Sequence, residues 1–489
     1  MSASFTPYWK ITQVRSVFLK LTSDIDYNSR ILSEQLRASE NFDIVKRDIC
    51  ICGKRAFLLF VDGFAKDDIA EKLIEFFFDI TDEKLLENAK VFMENCIPYI
   101  EVSSENESDT AVFQILSGGI MLCIDGIDGC IVIDLRTYPQ RETSEPDRDK
   151  VFRGSHDGFV EILIFNTALI RRRIRDPALT MKYKKIGTRS QTDIAICYID
   201  GKADKEVLKR ITDRLNSTEV ESLTMNQESL AEILAPRIFF NPFPKFKYSE
   251  RPDTAAAQLL EGDIVILVDN APSAMIIPAT VFDIMEEAND YYLPPITGTY
   301  LRLSRFIITF LTVFLTPTWV LLLRYPDFVS ERFRFILDGT QQSVPIFIQL
   351  LILEIGIDGL KLASLNTPNV LTTSLSMIGA IIVGDFAVES GWFSAQAMLY
   401  TALVAIANYA QPGLELSYAL KFMRMILLIL TGIFGIYGYV GGIVIILLML
   451  LCNKTVSGHC YLYPLIPFNY HDFKSKILRM GIKYEKTNL

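Results

Sequence analysis

Glu354, Asp358 and Lys361 stand four and then three residues apart inside a run that is otherwise apolar. At about 100° per residue along a helix, that spacing gathers all three on one narrow face. An ionised side chain at the centre of a bilayer costs roughly 2.5–3.5 kcal/mol on insertion scales, so such groups turn toward water or toward each other. Two arrangements follow. Glu354 and Asp358 can pair with Lys361 on an interfacial or re-entrant helix, or the three can form a polar stripe that lines or gates a conduction path. Asp385 and Glu389, again four apart, make a second acidic face. Stacked carboxylates would favour cations over anions.

No catalytic chemistry is legible beside them. The chain has only His156, His459 and His471, and none lies near a cysteine pair with metal-ligand spacing. Its 8 cysteines are scattered, and Cys50 and Cys52 are expected on one face of a strand, as reduced structural thiols. There is no P-loop, dinucleotide fingerprint or nucleophile elbow; Gly118-Gly119, Gly126 and Gly129 follow hairpin turns instead. Asp67-Asp68 and Asp147–Asp149 read as surface carboxylates, and His471-Asp472 lies in a polar tail without a partner motif. The expectation is a non-enzyme that holds no metal and no cofactor. A net charge of −9 argues against nucleic acid as a partner.

The elements that must position these charges divide the chain in two. An apolar run from Ser304 to Leu323 is long enough to cross a hydrocarbon core. Six such segments are outlined, at 304–323, 344–363, 374–391, 394–411, 417–436 and 438–453. The fifth and sixth form one uncharged stretch, Met425 to Cys452, too long for a single upright helix. Gly432, Gly435, Gly438 and Gly441 recur within it at every third residue, the mark of tight helix packing or a turn. Four or six spans both leave the termini on one side. The basic tail (Lys474, Lys476, Arg479, Lys483, Lys486), with Arg302 and Arg305 before the first span, assigns that side to the cytoplasm. The first thirty residues show no apolar core of a signal peptide, in keeping with a cytoplasmic N-terminal region.

Before residue 301 the sequence reads as soluble α/β protein. An apolar run, an Asp62-Gly63 turn and a helical pattern near Cys50 have a counterpart at Asp200-Gly201. Each is followed by two apolar runs about a turn, at Asp125-Gly126 and at Asp269-Asn270, where these residues tolerate positive φ. Two small α/β subdomains of β-α-β-β design follow, through duplication or through two sheets obeying the same rules. The expected boundaries are an N-terminal segment 1–39, subdomains at 40–150 and 191–300, a basic linker helix at 151–190, an α-helical polytopic membrane domain at 301–453, and a cytoplasmic tail at 454–489. The linker contains TALIRRRIRDPALTMKYKKIGTRS, with eight basic residues against one Asp. It is either a solvated connecting helix or a docking surface, with Arg171, Arg172, Arg173 and Arg175 facing an acidic neighbour or anionic lipid.

The string RGSHDGFVEILIFNTALIRRRIRDPAL, from Arg153 to Leu179, resembles the signature of the A-subunit family of bacterial spore germination receptors. So do Glu145-Pro146, Glu250–Asp253 (ERPD), LEGDIVILVDNAPSAMIIP, Asp290-Tyr291-Tyr292 and the Pro345…Glu354…Asp358 helix. Ser155-His156-Asp157 departs from the family's usual Pro-Arg-Glu. Leu293–Pro295 and the first span look most like a branch encoded with spore channel proteins rather than the receptor A subunits proper. The resemblance implies a multi-pass protein of the inner spore membrane, its N-terminal region on the spore-core side. It implies an oligomeric ring that passes ions and amplifies the germination response, with a small membrane partner. The receptor alternative would act with a transporter-like B subunit and a lipoprotein C subunit.

Three readings stand at this point: a cation channel, a secondary transporter, and a non-conducting scaffold. A closed cyclic homo-oligomer would let each copy contribute one polar-faced helix to a central axis. Contacts between soluble regions would hold it, the Arg171–Arg189 run meeting a neighbour's Asp147–Asp149.

Overall fold

The computed structural model describes residues 19–64, 67–99, 101–135, 151, 153–235, 241–337, 344–366 and 387–479. The first unit runs through helix α1 (Ile25–Gln35), strands β1 (Ile44–Ile51) and β2 (Lys54–Val61), and helices α2 (Asp67–Phe78) and α3 (Ala89–Cys96). It closes with β3 (Val102–Glu105), α4 (Ser108–Leu116), β4 (Ile120–Ile124) and β5 (Cys130–Ile133). The second repeats this order one for one. It comprises α5 (Leu163–Arg173), β6 (Leu179–Ile186), β7 (Thr192–Ile199), α6 (Lys205–Asn216), α7 (Asn226–Leu234), β8 (Lys247–Ser249), α8 (Pro252–Glu261), β9 (Ile264–Val268) and β10 (Ala274–Ile277). The sheets are ordered β1-β2-β4-β5-β3 and β6-β7-β9-β10-β8, the same arrangement twice and antiparallel throughout. A shared order of nine elements is the pattern a duplication leaves.

Strand alternation builds the layers. In β9, Ile264, Ile266 and Val268 pack with Val207, Ile211 and Leu215 of α6, while Val265 and Leu267 face α5 and α8 on the other side. Every residue of β9 is buried, so the strand needs cover on both faces and has it. The first sheet is covered likewise, by α1 and α4 on one face and by α2 and α3 on the other. All four expected turns take positive φ: Gly63 at 80°, Gly201 at 84°, Gly126 at 86° and Asn270 at 59°.

Two expectations need correction here. In each unit a hairpin follows the first helix, so the run before each Asp-Gly turn is the second arm of that hairpin. Cys52 is not in a strand: with Gly53 it forms the two-residue turn between β1 and β2, both at positive φ. The basic stretch is not a linker helix either. Its first half is α5, and its second half is β6, paired over 8 residues with β7, so the second sheet begins before residue 191. Exposed Lys182, Tyr183 and Lys185 between buried Met181 and Ile186 give an edge strand its charge without making it a helix.

Two short helices, α9 (Val281–Ile284) and α10 (Ala288–Tyr292), lead into α11 (Pro295–Arg324), 30 residues long with Pro317 inside. After it come α12 (Ile346–Asn366), the single turn α13 (Ala387–Glu389), α14 (Ala395–Tyr409), α15 (Leu414–Phe434), α16 (Ile436–Cys452) and α17 (Tyr470–Ile477). α11 and α15 are each long and apolar enough to cross a membrane; α16 is apolar but shorter. Gly435, at φ 63° and ψ −133°, is the whole connection between α15 and α16. The two helices fold back on each other so closely that a Cβ on Gly438 would stand 1.9 Å from the Leu430 carbonyl oxygen. The start of α11, the start of α15 and the end of α16 lie on the side of the second sheet; Asn241, for example, donates to the Met449 carbonyl at 2.9 Å. Arg324 and Gly432 meet at the far side.

Candidate functional site

The intramembrane charges expected on α12 are brought together, but with partners from another helix. On α15, Lys421 and Arg424 are one turn apart and face α12. Arg424 grips Glu354 with two hydrogen bonds, Nε to Oε1 and Nη2 to Oε2, both 2.8 Å. Lys421 Nζ lies 3.3 Å from Glu354 Oε2 and 2.5 Å from Asp358 Oδ1. It also donates to the Glu354 backbone carbonyl at 3.1 Å. Arg424 uses its remaining arm on α11, donating from Nη1 to the Thr312 carbonyl at 2.8 Å. That carbonyl adjoins Val313, whose own helical donor is missing because Pro317 has no N–H. Glu354, Lys421 and Arg424 are all buried.

Lys361 stays within electrostatic reach of Asp358 and Glu354 but is not one of the cations in direct contact with them. Its ammonium sits over the rings of Tyr409 and Tyr418, 4.4 and 5.3 Å from their centroids. The expected internal pairing of Glu354 and Asp358 with Lys361 is therefore replaced by pairing across helices. The space left among Glu354, Lys361, Asn408, Lys421 and Arg424 is a cavity of about 10 Å³, room for one water at most. Asp385 lies outside the described residues, and Glu389 is exposed in the short turn α13. Lys421 and Arg424 were legible as basic residues that six spans would put on the cytoplasmic side; they are buried against α12 instead, and their matching of the 354/358 spacing is the signal that could have found them.

A second cluster ties the soluble units to the bundle. Arg302 Nη2 donates to Glu286 Oε1 at 2.6 Å, and Arg305 reaches both oxygens of Asp290, at 2.9 and 3.1 Å. Arg305 also donates to Glu287 at 2.9 Å. These arginines do more than mark a membrane side: they fasten the loop after β10 to the first turns of α11. From the tail, Lys476 Nζ lies 2.6 Å from Asp283 and 3.4 Å from Glu286. Burial alone would raise the Asp283 carboxyl, but the Lys476 ammonium outweighs it and holds the group below the usual carboxylate range. Burial opposes the Lys476 charge as well, yet Asp283 and Glu286 carry its pKa well above that of an ordinary lysine. Asp263, beside this cluster, has no such cation in contact. Burial first, then the charges of Asp283 and Glu261, push its pKa up to about 8.

The basic run contradicts part of its expected role. Arg171 is fully buried and holds Asp43 at the start of β1 through two hydrogen bonds, 2.9 and 3.1 Å. It joins the two sheets within one chain and cannot face a neighbour. Arg173 donates to Ser155 and Asp157, at 2.9 and 3.0 Å, while Arg251 of the ERPD motif donates to the Ser155 carbonyl at 2.7 Å. The Ser-His-Asp departure thus supplies acceptors to two arginines. Arg172 is half-buried, and Arg175 is exposed, its guanidinium 5.7 Å from the Phe113 ring. The proposed acidic counterpart, Asp147–Asp149, lies outside the described residues.

Two sheets of identical order, joined through buried ion pairs to a helical region with two helices fit to cross a membrane, define a class of membrane-associated protein with a large folded N-terminal portion. Residues 30–488 match the family model described as Bacillus/Clostridium GerA spore germination protein, and the chain belongs to that family. Stage V sporulation protein AF of Bacillus subtilis (strain 168) is 35% identical over 443 residues, 90% of each chain. Spore germination protein KA of the same organism is 28% identical over 86% of this chain and 78% of its own. Spore germination protein A1 is 27% identical over 91% and 92%. The crystal structure of the N-terminal domain of the A subunit of the Bacillus megaterium spore germinant receptor GerK3 is similar at a TM-score of 0.40 and 26% identity, covering 53% of this chain and 95% of that one.

Proposed function

We propose that this protein is a membrane subunit of a spore germination complex, resident in the inner spore membrane with its two sheets on the cytoplasmic side. As a cyclic homo-oligomer it passes ions and amplifies the germination response, working with a small membrane partner or other germination proteins. Family membership supports the setting, and the 35% identity to Stage V sporulation protein AF supports that branch over a receptor A subunit acting with B and C subunits. α12 ends on the side of the sheets and α14 begins on the far side, as Lys361 over Tyr418 and Ser394 against Gln349 indicate. That supports six crossings. One observation carries the oligomer: Glu354 and Asp358 are neutralised inside the copy that bears them, leaving about 10 Å³ beside them. This supports a hydrated route for ions between copies rather than beside Glu354 within one.

Conductance of the purified full-length protein in planar bilayers, with its mass measured in mild detergent, tests this reading. Cation-selective current steps from a closed oligomer are expected; a monomer at all concentrations, or an oligomer that never conducts, overturns it. The same ion pairing favours one competitor, a non-conducting scaffold whose charges serve packing alone. That reading predicts an oligomer without current.

A further inference from the structure

The stripe Ile296, Tyr300, Leu303, Ile307 and Phe310 advances along α11 in steps of four, three, four and three residues, so it occupies one face of the helix. All five are exposed, Ile296 at 86% and Ile307 at 61%. The stripe therefore runs unbroken from the first turn of α11 into its long apolar portion. Beside these first turns lies the C-terminal segment. Arg302 donates from Nη1 to the carbonyls of Ser475 and Lys476, at 2.9 and 3.3 Å, and Thr299 Oγ1 accepts from the Arg479 N–H at 3.1 Å.

A relay of rings ties that segment to α11. Phe306 of α11 packs on Phe282, Phe282 on Phe473 of α17, and Phe473 on Phe468, with successive centroids 5.9, 6.1 and 5.8 Å apart. Phe468 is thus linked through Phe473 and Phe282 to the head of the span, and yet it is 63% exposed; Tyr470, on the next turn, is 68% exposed. The far side of the bundle carries a similar group, with Phe328 and Phe335 exposed at 71% and 67% beyond the end of α11. From Tyr300 to Arg324 the helix rises about 36 Å, between the thickness of a hydrocarbon core and that of a bilayer with its headgroups. Aromatic side chains exposed at these two levels match the belts that ring a spanning protein.

We infer that the segment Leu465–Tyr470 with α17 is an interfacial anchor: it lies against the bilayer surface on the side of the sheets, with Phe468 and Tyr470 seated at the boundary between headgroups and acyl chains. The occupant of this exposed apolar face is lipid, because Arg302 fastens α17 beside the exposed apolar stripe of α11. Lys474 and the tethered Arg479 put positive charge at the headgroup level, as an interfacial helix requires. The inference rests on α11 being a span, and the test separates the two claims.

The experiment places the photoreactive residue p-benzoylphenylalanine singly at Phe468, Tyr470, Ile307 or Met225 of the full-length protein in phosphatidylethanolamine/phosphatidylglycerol nanodiscs. Irradiation is followed by intact-mass measurement. Met225, 72% exposed on the second soluble unit, is the aqueous control. Lipid adducts at Phe468 and Tyr470, in the yield found at Ile307 and absent at Met225, are the expected result. An adduct at Ile307 with none at Phe468 and Tyr470 overturns the anchor and leaves the span intact. Cross-links from Phe468 to a second copy of the chain overturn it as well, and no adduct at Ile307 overturns the span on which it rests.

Discussion

Replacing Arg424 by Met removes three hydrogen bonds at once, two of them to a buried carboxylate. Breaking a buried ion pair from one side costs about 3–5 kcal/mol, because the remaining charge is left in a medium that does not solvate it. Lys421 remains 3.3 Å from Glu354 and lends partial compensation, which places the loss near the lower end, about 3 kcal/mol. Glu354→Leu alone strands Arg424 instead and loses a similar amount. The double variant, Glu354→Leu with Arg424→Met, strands neither; two apolar side chains of similar length fill the site, and most of the stability returns. The assay is a double-mutant cycle read by apparent Tm in detergent and repeated in nanodiscs. A coupling of more than about 2 kcal/mol between the two sites is expected. Additive single losses, or an Arg424→Met variant indistinguishable from the parent, would refute the reasoning, since either result means that the two side chains do not share a buried site.

Three further outcomes follow from the geometry. Arg171→Met leaves Asp43 buried and unpaired between the sheets, so a loss of about 3–5 kcal/mol is expected, with hydrogen exchange rising first at residues 41–44 and 179–181. Gly438→Ala drives a Cβ into the Leu430 carbonyl, whereas nothing lies within 4 Å of a Cβ at Gly441. Thermal melts should therefore show the first variant destabilised by at least about 1–3 kcal/mol and the second unchanged or slightly stabilised. Asp263 has a folded pKa raised to about 8, so the stability tied to its proton is complete at low pH and is lost as pH rises toward that value. Asp263→Asn should gain stability relative to the parent from about pH 4 to 8 and hold a constant advantage above that; a difference independent of pH would show that the carboxyl is not perturbed.

What was legible in the sequence and what was not divide along one physical line. Turns are local: an Asp-Gly or Asp-Asn pair takes positive φ whatever surrounds it, and all four such turns stand where the sequence placed them. The faces of β9 and the helical spacing of Glu354 and Asp358 are likewise set within a few residues. Partners are not local. Arg424 lies 70 residues from Glu354, and Arg171 lies 128 from Asp43. A run of arginines reads as a solvated surface because most such runs are; only the packing of α5 against the first sheet turns Arg171 inward. The strand β6 misled for a related reason, since Lys182, Lys184 and Lys185 lie along an edge strand, where charge is tolerated on either face.

These buried pairs form a series through the molecule. Arg171 with Asp43 joins the first sheet to the second; Arg302 and Arg305 with Glu286 and Asp290 join the second sheet to α11; Arg424 with Glu354 and the Thr312 carbonyl joins α15 to α12 and α11. Desolvation makes a buried ion pair a weak source of net stability, and an apolar pair of the same volume does as well or better. What it adds is register. Leucines on neighbouring helices can slide past one another by a turn and find new leucines, but a slide of one turn, about 5.4 Å, would keep at most one carboxylate of Glu354 and Asp358 against one cation of Lys421 and Arg424 and would leave the other two charges unpaired. A bundle joined by such contacts resists small displacements and yields only to a change large enough to exchange one set of partners for another. In this chain such contacts stand at each junction between the sheets and the helical bundle, beside apolar packing of Phe243, Ile284 and Met285 on Val313 and Leu416, so a shift of the soluble units has to exchange charged partners as well as apolar ones.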